Sequence, residues 1–184
     1  MTQHRKTRKS WNAHGHAHFL TYSCVNRLPL LSTDRVRRWV IEAMTAARRS
    51  QNLELWAYVI MPEHVHVLLF PNDPDNEMRR ILAALKRPVA KAAHDHLKKM
   101  NPRAWIERLT VNYPRRKVFR FWQSGGGYDR NVFRKYKLSQ IFDYIHANPV
   151  RRELVNTPRE WSWSSARFWE GQKDVPLRMD SPEI

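Results

Sequence analysis

The chain has 184 residues, with 33 Lys and Arg against 17 Asp and Glu and a net charge of +16. This length favours one domain whose core needs no disulfide bonds, and a lone cysteine, Cys24, excludes an intramolecular disulfide bond and any cysteine-based zinc site. No apolar run approaches the ~20 residues that span a bilayer, and no hydrophobic signal region follows the basic N-terminus. The sequence therefore predicts a soluble protein of a reducing, cytoplasmic compartment, with no membrane partner.

The basic excess predicts a polyanionic partner. No acid precedes Asp34, and residues 130–142 are again free of acids. Such an excess costs self-repulsion, which a phosphate backbone offsets. Eight tryptophans add surfaces on which unpaired bases could stack, although at least half of them are expected in the core. We therefore predict a nucleic-acid-binding, nucleoid-associated protein. An anionic membrane surface is the weaker alternative, because the basic helices lack a broad apolar face.

The chain divides into three predicted parts: a basic N-terminal arm over residues 1–13, a folded domain over 14–156, and a C-terminal tail over 157–184 that packs on the domain. Within the domain, apolar alternation predicts strands, apolar residues at helical spacing predict helices, and Pro88 and Pro149 are expected to kink or end theirs. In chain order the expected elements are a strand over 16–25, a helix over 34–50, strands over 53–61 and 64–70, a helix over 77–99, an irregular stretch over 101–117, a strand over 118–123, a glycine joint at 125–127 and a helix over 138–148. This order is typical of an α+β fold with a ferredoxin-like split βαβ core and an antiparallel sheet.

The strand over 64–70 opens with two histidines, His64 and His66, separated by one residue. Side chains alternate faces along a strand, so both imidazoles leave the same face, while Val65 and Val67 point into a core. Two neutral imidazoles can bind one divalent metal ion and leave open coordination positions. Histidines at this spacing also occur by chance, and the row formed by His14, His16 and His18 could equally be solvated or face DNA.

The last helix offers two further polar groups on one face, because Tyr144 and Asn148 are four residues apart. A helix docked across the sheet could bring that face over the histidine pair. Asn148 would then offer an amide oxygen as a third ligand, a set that suits Mg²⁺ or Mn²⁺ bound through a phosphate. Tyr144 would offer a phenol as nucleophile. Taken separately, Tyr144 is also an ordinary half-buried aromatic residue, and Asn148 an ordinary helix-end residue before Pro149.

The order and spacing of these motifs resemble a known family. The segment from Pro62 to His66 resembles the His-hydrophobic-His signature of HUH single-strand endonucleases. Together with the segment from Tyr144 to Val150, it resembles the REP-associated tyrosine transposases, a branch of the single-tyrosine, IS200-like transposases. The stretches 121–123, 128–130 and 161–165 are similar to that branch in type and order. The resemblance covers roughly residues 14–168.

The resemblance implies a metal-dependent transposase that cuts single-stranded DNA beside a hairpin through a 5′-phosphotyrosine link. It implies Tyr144 as the nucleophile, His64, His66 and Asn148 as ligands of Mg²⁺ or Mn²⁺, and a hairpin held by basic residues. The residues that we select for that last role are Arg5, Lys6, Arg8, Lys9, Arg151 and Arg152. One tyrosine per chain means that full strand transfer needs two chains or two rounds, so a monomer and a homodimer both stay possible.

Two other functions are compatible with the same residues. A module that binds DNA hairpins without cutting would need the basic surface but not the tyrosine. A metal-dependent RNA-processing enzyme on the same scaffold would show the same charge and stacking aromatics. A tyrosine-linked DNA product discriminates the transposase from both.

Overall fold

Six strands and five helices make up the fold in the computed structural model, which describes residues 15–100, 102–133 and 135–182, with the backbone alone at 135 and 136. The expectations on the arm over residues 1–13, including Arg5, Lys6, Arg8 and Lys9, lie outside the described residues. The strands are β1 (Ala17–Ser23), β2 (Leu53–Ile60), β3 (His64–Pro71), β4 (Thr110–Tyr113), β5 (Arg116–Phe119) and β6 (Tyr128–Val132). The helices are α1 (Asp34–Ser50), α2 (Met78–Met100), α3 (Arg103–Arg108), α4 (Lys135–Arg151) and α5 (Ala166–Trp169).

The main sheet has the order β2-β3-β1-β6, and every neighbouring pair is antiparallel. Helix α1 connects β1 to β2, which leaves β3 between them, as a split βαβ unit requires. The predicted α+β class with an antiparallel sheet is confirmed. Within the described ranges no helix has the length and apolarity needed to cross a bilayer.

The two faces of the sheet serve different helices. Val65 and Val67 of β3 lie in one buried cluster with residues of α1 and α2, as the alternation predicts. Leu68 points to the opposite face, where it lies in a second cluster with Ile141 and Ile145 of α4. His64 and His66 share the parity of Leu68, so the fold places both imidazoles on the α4 side.

The prediction for the segment between α2 and α4 is wrong in two respects. Residues 101–117, expected to be irregular, contain α3 and β4, and β4 pairs with β5 in a separate two-stranded sheet. We expected the strand over 118–123 to be the fourth strand of the main sheet. Instead, β6 is the fourth strand, and it pairs with β1. Residue Trp122 only forms an isolated bridge to Cys24 at the end of β1.

Two helices contain prolines: Pro88 was expected to kink or break its helix, and Pro149 was expected to end its helix. Helix α2 runs from Met78 to Met100 with Pro88 inside it, and α4 includes Pro149 in its last turn. Leu85 and Val89 are buried on either side of Pro88, so packing holds both halves of α2 against the core. Pro149 lacks the N–H that would bond the Ile145 carbonyl, but the carbonyls of residues 148–150 are bonded by N–H groups of the turns that follow α4.

The C-terminal residues cover the outer edge of β2. Ile60 donates its N–H to the Trp163 carbonyl at 2.8 Å, and Ser165 donates to the Tyr58 carbonyl at 3.0 Å. Further along the edge, the carboxylate of Asp180 accepts from the N–H of Leu55 at 2.8 Å. Backbone N–H and C=O groups that would be unpaired at the edge of a sheet are thus hydrogen-bonded within the chain.

Within the glycine joint, Gly127 lies where a side chain cannot be accommodated. Gly127 has a φ of +76°, and a Cβ there would lie 2.2 Å from the Thr21 carbonyl oxygen. A Cβ on Gly126 would meet only Leu82 at 3.5 Å. We expect Gly127→Ala to lower the free energy of unfolding by about 3 kcal/mol or more, from steric overlap and left-handed strain. Gly126→Ala, the matched control, should change it by less than about 1 kcal/mol. Urea denaturation measures both, and equal stabilities would contradict the close approach.

Candidate active site

A cavity of about 680 Å³ lies between the α4 side of the sheet and α4 itself, and it contains every candidate catalytic and metal-binding residue. Four cations and no acid are among its lining residues, so a phosphate entering it meets positive charge. The polar and aromatic lining residues include His64, His66, Tyr144, Asn148, Tyr128, Thr21, Arg27, Arg130, Lys137 and Arg152.

The two histidines converge as the strand geometry predicts. Their Nε2 atoms are 3.1 Å apart, and their ring centroids are separated by 4.6 Å. The Nδ1 of His64 donates to the Glu63 carboxylate at 3.0 Å, and the Nδ1 of His66 hydrogen-bonds the Thr21 hydroxyl at 2.7 Å. Each ring is therefore oriented through its Nδ1, and its Nε2 is directed at the other ring, the arrangement that orients metal-binding imidazoles.

Both imidazoles are held neutral. Burial, and second the repulsion that a protonated His64 would exert, lower the pKa of His66 to about 3. Burial also lowers the pKa of His64, although the neighbouring Glu63 carboxylate opposes the effect. Two neutral rings with facing Nε2 atoms either share one proton or direct two lone pairs at a cation.

The two imidazoles can serve as nitrogen ligands of one divalent cation, because their facing Nε2 atoms lie 3.1 Å apart. Within the described residues no group of three or more His, Cys, Asp and Glu could hold a metal ion. A third protein ligand here would have to be an oxygen of another residue type, and Asn148 supplies one in the same cavity.

Helix α4 presents Tyr144 and Asn148 to the cavity from one face. The Tyr144 ring centroid is 5.3 Å from that of His66, and 40% of the residue is exposed. Asn148 is buried, and its amide nitrogen donates to the Tyr144 carbonyl at 3.1 Å, so the amide oxygen is the branch left for a ligand. The i, i+4 spacing thus brings phenol and amide to the histidine pair.

A buried contact fixes α4 against the sheet beside these groups. His146 hydrogen-bonds the Ser165 hydroxyl at 2.8 Å, and that hydroxyl accepts from the Tyr58 N–H of β2 at 2.9 Å. Burial lowers the pKa of His146 to about 4, so the ring stays neutral in this contact. The sequence offered no signal for this link, since Ser165 lies 19 residues beyond His146.

Of the residues selected for DNA binding, Arg151 and Arg152 are described, and both lie near the cavity. The guanidinium of Arg151 is 5.1 Å from the Tyr144 ring centroid, and Arg152 lines the cavity. Three cations in the lining were not selected: Arg27, Arg130 and Lys137. The acid-free stretch 130–142 was a signal for two of them. Arg27 had none, because it enters through a left-handed backbone at φ 52° that non-glycine residues rarely adopt.

The histidine row near the N-terminus does not form a solvated or DNA-facing surface at its last member. His18 is buried and hydrogen-bonds Asp129 of β6 at 2.8 Å. The ring of His16 lies 4.1 Å from that of Phe133. His14 lies outside the described residues.

Glu63 is a functional candidate that the sequence motif contained but that had no assigned role. Its carboxylate accepts from His64 and, at 2.7 Å, from Arg152. Burial alone would raise the pKa of Glu63, but the hydrogen bond from Arg152 and the adjoining His64 hold it below its usual value. Glu63 therefore stays ionised and ties the first histidine to the end of α4.

We expect Glu63→Gln to weaken Mn²⁺ binding about tenfold or more, because a neutral amide fixes the tautomer and orientation of His64 less firmly. Titration of the free-ion Mn²⁺ electron paramagnetic resonance signal measures the affinity. Glu42→Gln, an exposed carboxylate on α1, is the control and should bind as the wild type does. Equal affinities for all three proteins would show that Glu63 does not support the histidine.

The chain is similar to known proteins over most of its length. The family model described as "Transposase IS200 like" matches residues 11–148. A curated protein of Haemophilus influenzae, named as a REP-associated tyrosine transposase, is 27% identical over an alignment of 139 residues, which covers 69% of this chain and 72% of that protein. The solved structure of a REP-associated tyrosine transposase bound to a REP hairpin superposes with a TM-score of 0.69 at 18% identity, covering 100% of this chain and 95% of that one. Since the family model spans most of its length, the chain belongs to the IS200-like transposase family.

Proposed function

We propose that the protein is a metal-dependent single-strand DNA endonuclease and transposase that acts on hairpin DNA through a 5′-phosphotyrosine intermediate. The observation that carries the proposal is the position of Tyr144, a half-exposed phenol beside His66 on the wall of a cationic cavity. Hairpin DNA is proposed because the structurally similar REP-associated transposase was solved with a REP hairpin.

His64, His66 and Asn148 are the residues that would hold a divalent ion, Mg²⁺ or Mn²⁺. When bound, the ion supplies Lewis acidity that polarises the scissile phosphate. The protein's own groups do the remaining work. Arg27, Arg130, Lys137 and Arg152 draw the phosphate backbone into the cavity. Arg151, over the Tyr144 ring, adds a cation beside the position of attack.

The covalent step exchanges one phosphate ester for another. The Tyr144 oxygen forms a bond to phosphorus, and the bond from phosphorus to the 3′ oxygen of the preceding nucleotide breaks. The phenol proton passes to water in the open cavity, and the departing 3′ oxygen takes a proton from water. Because the ester energy is retained in the phosphotyrosine, attack by another 3′ hydroxyl rejoins strands without a nucleotide cofactor.

The test is a cleavage assay on single-stranded DNA hairpins labelled at either end, with inverted repeats flanking the gene as candidates. We expect a denaturant-resistant protein–DNA adduct that keeps the 3′ label, requires Mg²⁺ or Mn²⁺, and disappears in EDTA. Peptide mass spectrometry should locate the nucleotide on Tyr144. A random single strand without a stem is the control substrate.

Two outcomes would overturn the proposal. Tight binding of hairpins without an adduct in either metal would identify a binding module that does not cut. Cleavage of RNA without a tyrosine-linked product would identify an RNA-processing enzyme.

A further inference from the structure

The small sheet outside the main fold carries a concentrated positive surface. Helix α3, the β4–β5 hairpin and the residue that follows it contain six basic side chains and one acid over residues 103–120. All of residues 111–117 are exposed. We call this the hairpin surface, and its basic residues are Arg103, Arg108, Arg115, Arg116, Lys117 and Arg120.

The aromatic residues of the hairpin surface hold its arginines in place. The guanidinium of Arg116 lies 5.7 Å from the Tyr113 ring centroid, and Arg120 donates to the Tyr113 hydroxyl at 2.6 Å. Arg108 lies 5.2 Å from the ring centroid of Trp105. A ring face that a guanidinium group covers has less area on which an unpaired base can stack. This surface therefore presents oriented cations to phosphates.

The hairpin surface is joined directly to the wall of the cavity. Phe119 packs on His94 of α2, with ring centroids 4.6 Å apart. The chain then runs to Gln123, whose N–H donates to the carbonyl of the cavity residue Ser23 at 2.8 Å. The side-chain oxygen of Gln123 accepts from the N–H of Asn26, the neighbour of the cavity residue Arg27. Residues 119–123 therefore connect the hairpin surface to the end of β1, where Ser23 and Arg27 line the cavity.

We propose that the hairpin surface binds the phosphate backbone of the double-stranded stem of the DNA hairpin, while the cavity receives the adjoining single strand. The inference rests on the proposed function and deepens it by assigning a surface to the stem. A duplex presents one negative charge per 1.7 Å of its axis, twice the density of one strand, and is the partner that a dense row of cations favours. Such contacts are independent of base sequence.

The test compares two triple variants with the same loss of charge. One is Arg115→Gln, Arg116→Gln, Lys117→Gln at the turn of the hairpin. Its control is Arg38→Gln, Arg49→Gln, Lys173→Gln, three cations that are also exposed but lie on α1 and near the C-terminus. Fluorescence anisotropy measures the binding of a labelled DNA stem–loop with a single-stranded overhang, and of the overhang alone, across a series of salt concentrations.

We expect the triple variant at residues 115–117 to bind the DNA stem–loop about tenfold or more weakly than the control variant does. The slope of log affinity against log salt concentration should be smaller by about 2 to 3. Affinity for the overhang alone should be the same for both variants. Equal affinities of the two variants for the stem–loop, or equal losses for stem–loop and overhang, would overturn the inference. The adduct assay separates the two proposals. If the adduct forms on Tyr144 but the triple variant at residues 115–117 loses no affinity for the stem–loop, only the stem assignment is overturned. If that variant loses affinity for the stem–loop but no adduct forms, only the covalent function is overturned.

Discussion

Tyr144→Phe is expected to lower the rate of covalent adduct formation by at least about 10³-fold while hairpin binding stays within about twofold of the wild type. The substitution removes the oxygen that we propose to attack phosphorus, and it leaves the ring, which contacts Phe19 and His66. Denaturing gels measure the adduct, and anisotropy measures binding.

The cavity provides a matched control for this prediction. Tyr128 also lines it, and its ring lies 5.9 Å from that of Phe19, against 5.8 Å for Tyr144. Tyr128→Phe should retain adduct formation. If Tyr128→Phe loses the adduct and Tyr144→Phe keeps it, the nucleophile lies on β6 and not on α4.

His64→Ala and His66→Ala are each expected to weaken Mn²⁺ binding by about 10²-fold or more, with a parallel loss of adduct. Either change leaves one imidazole, so the pair of facing Nε2 atoms that we propose as metal ligands is lost. Calorimetric titration of Mn²⁺ gives the affinity without any DNA present.

Comparing the two variants distinguishes loss of metal binding from loss of folded structure. His66 is buried, so its truncation leaves a gap beside Phe19, whereas His64 is partly exposed. His96→Ala on α2, packed on the opposite side of the sheet, is the control and should bind Mn²⁺ as the wild type does. If His64→Ala is stably folded and keeps full Mn²⁺ affinity, the histidine pair is not the metal site.

Local patterns were sufficient for the parts of the site that lie within one element. Alternation along β3 predicted that His64 and His66 share a face, and helical spacing in α4 predicted that Tyr144 and Asn148 do. Ile141 and Ile145 correctly indicated the buried face of α4. The two elements come together because α4 buries its apolar face against the side of the sheet that α1 and α2 leave uncovered, and no local pattern predicts that docking.

Long-range pairing explains what the sequence did not predict. The polar strand β6 has a weak local pattern, and it joins the main sheet through pairs such as His18 with Asn131, more than 100 residues apart. The stronger apolar pattern over 118–123 favoured the wrong strand. Arg27 and Glu63 were missed for a related reason, because their positions depend on a left-handed turn and on contacts with the end of α4.

The covering of the β2 edge has a consequence for folding during translation. Leu53–Ile60 leaves the ribosome early, but the residues that bond its outer edge, Trp163 and Ser165, follow about a hundred positions later. At ~5–20 residues per second, the interval is about 5–20 s. During translation the nascent chain therefore carries an unpaired strand edge, and molecular chaperones have their greatest opportunity to act in that interval.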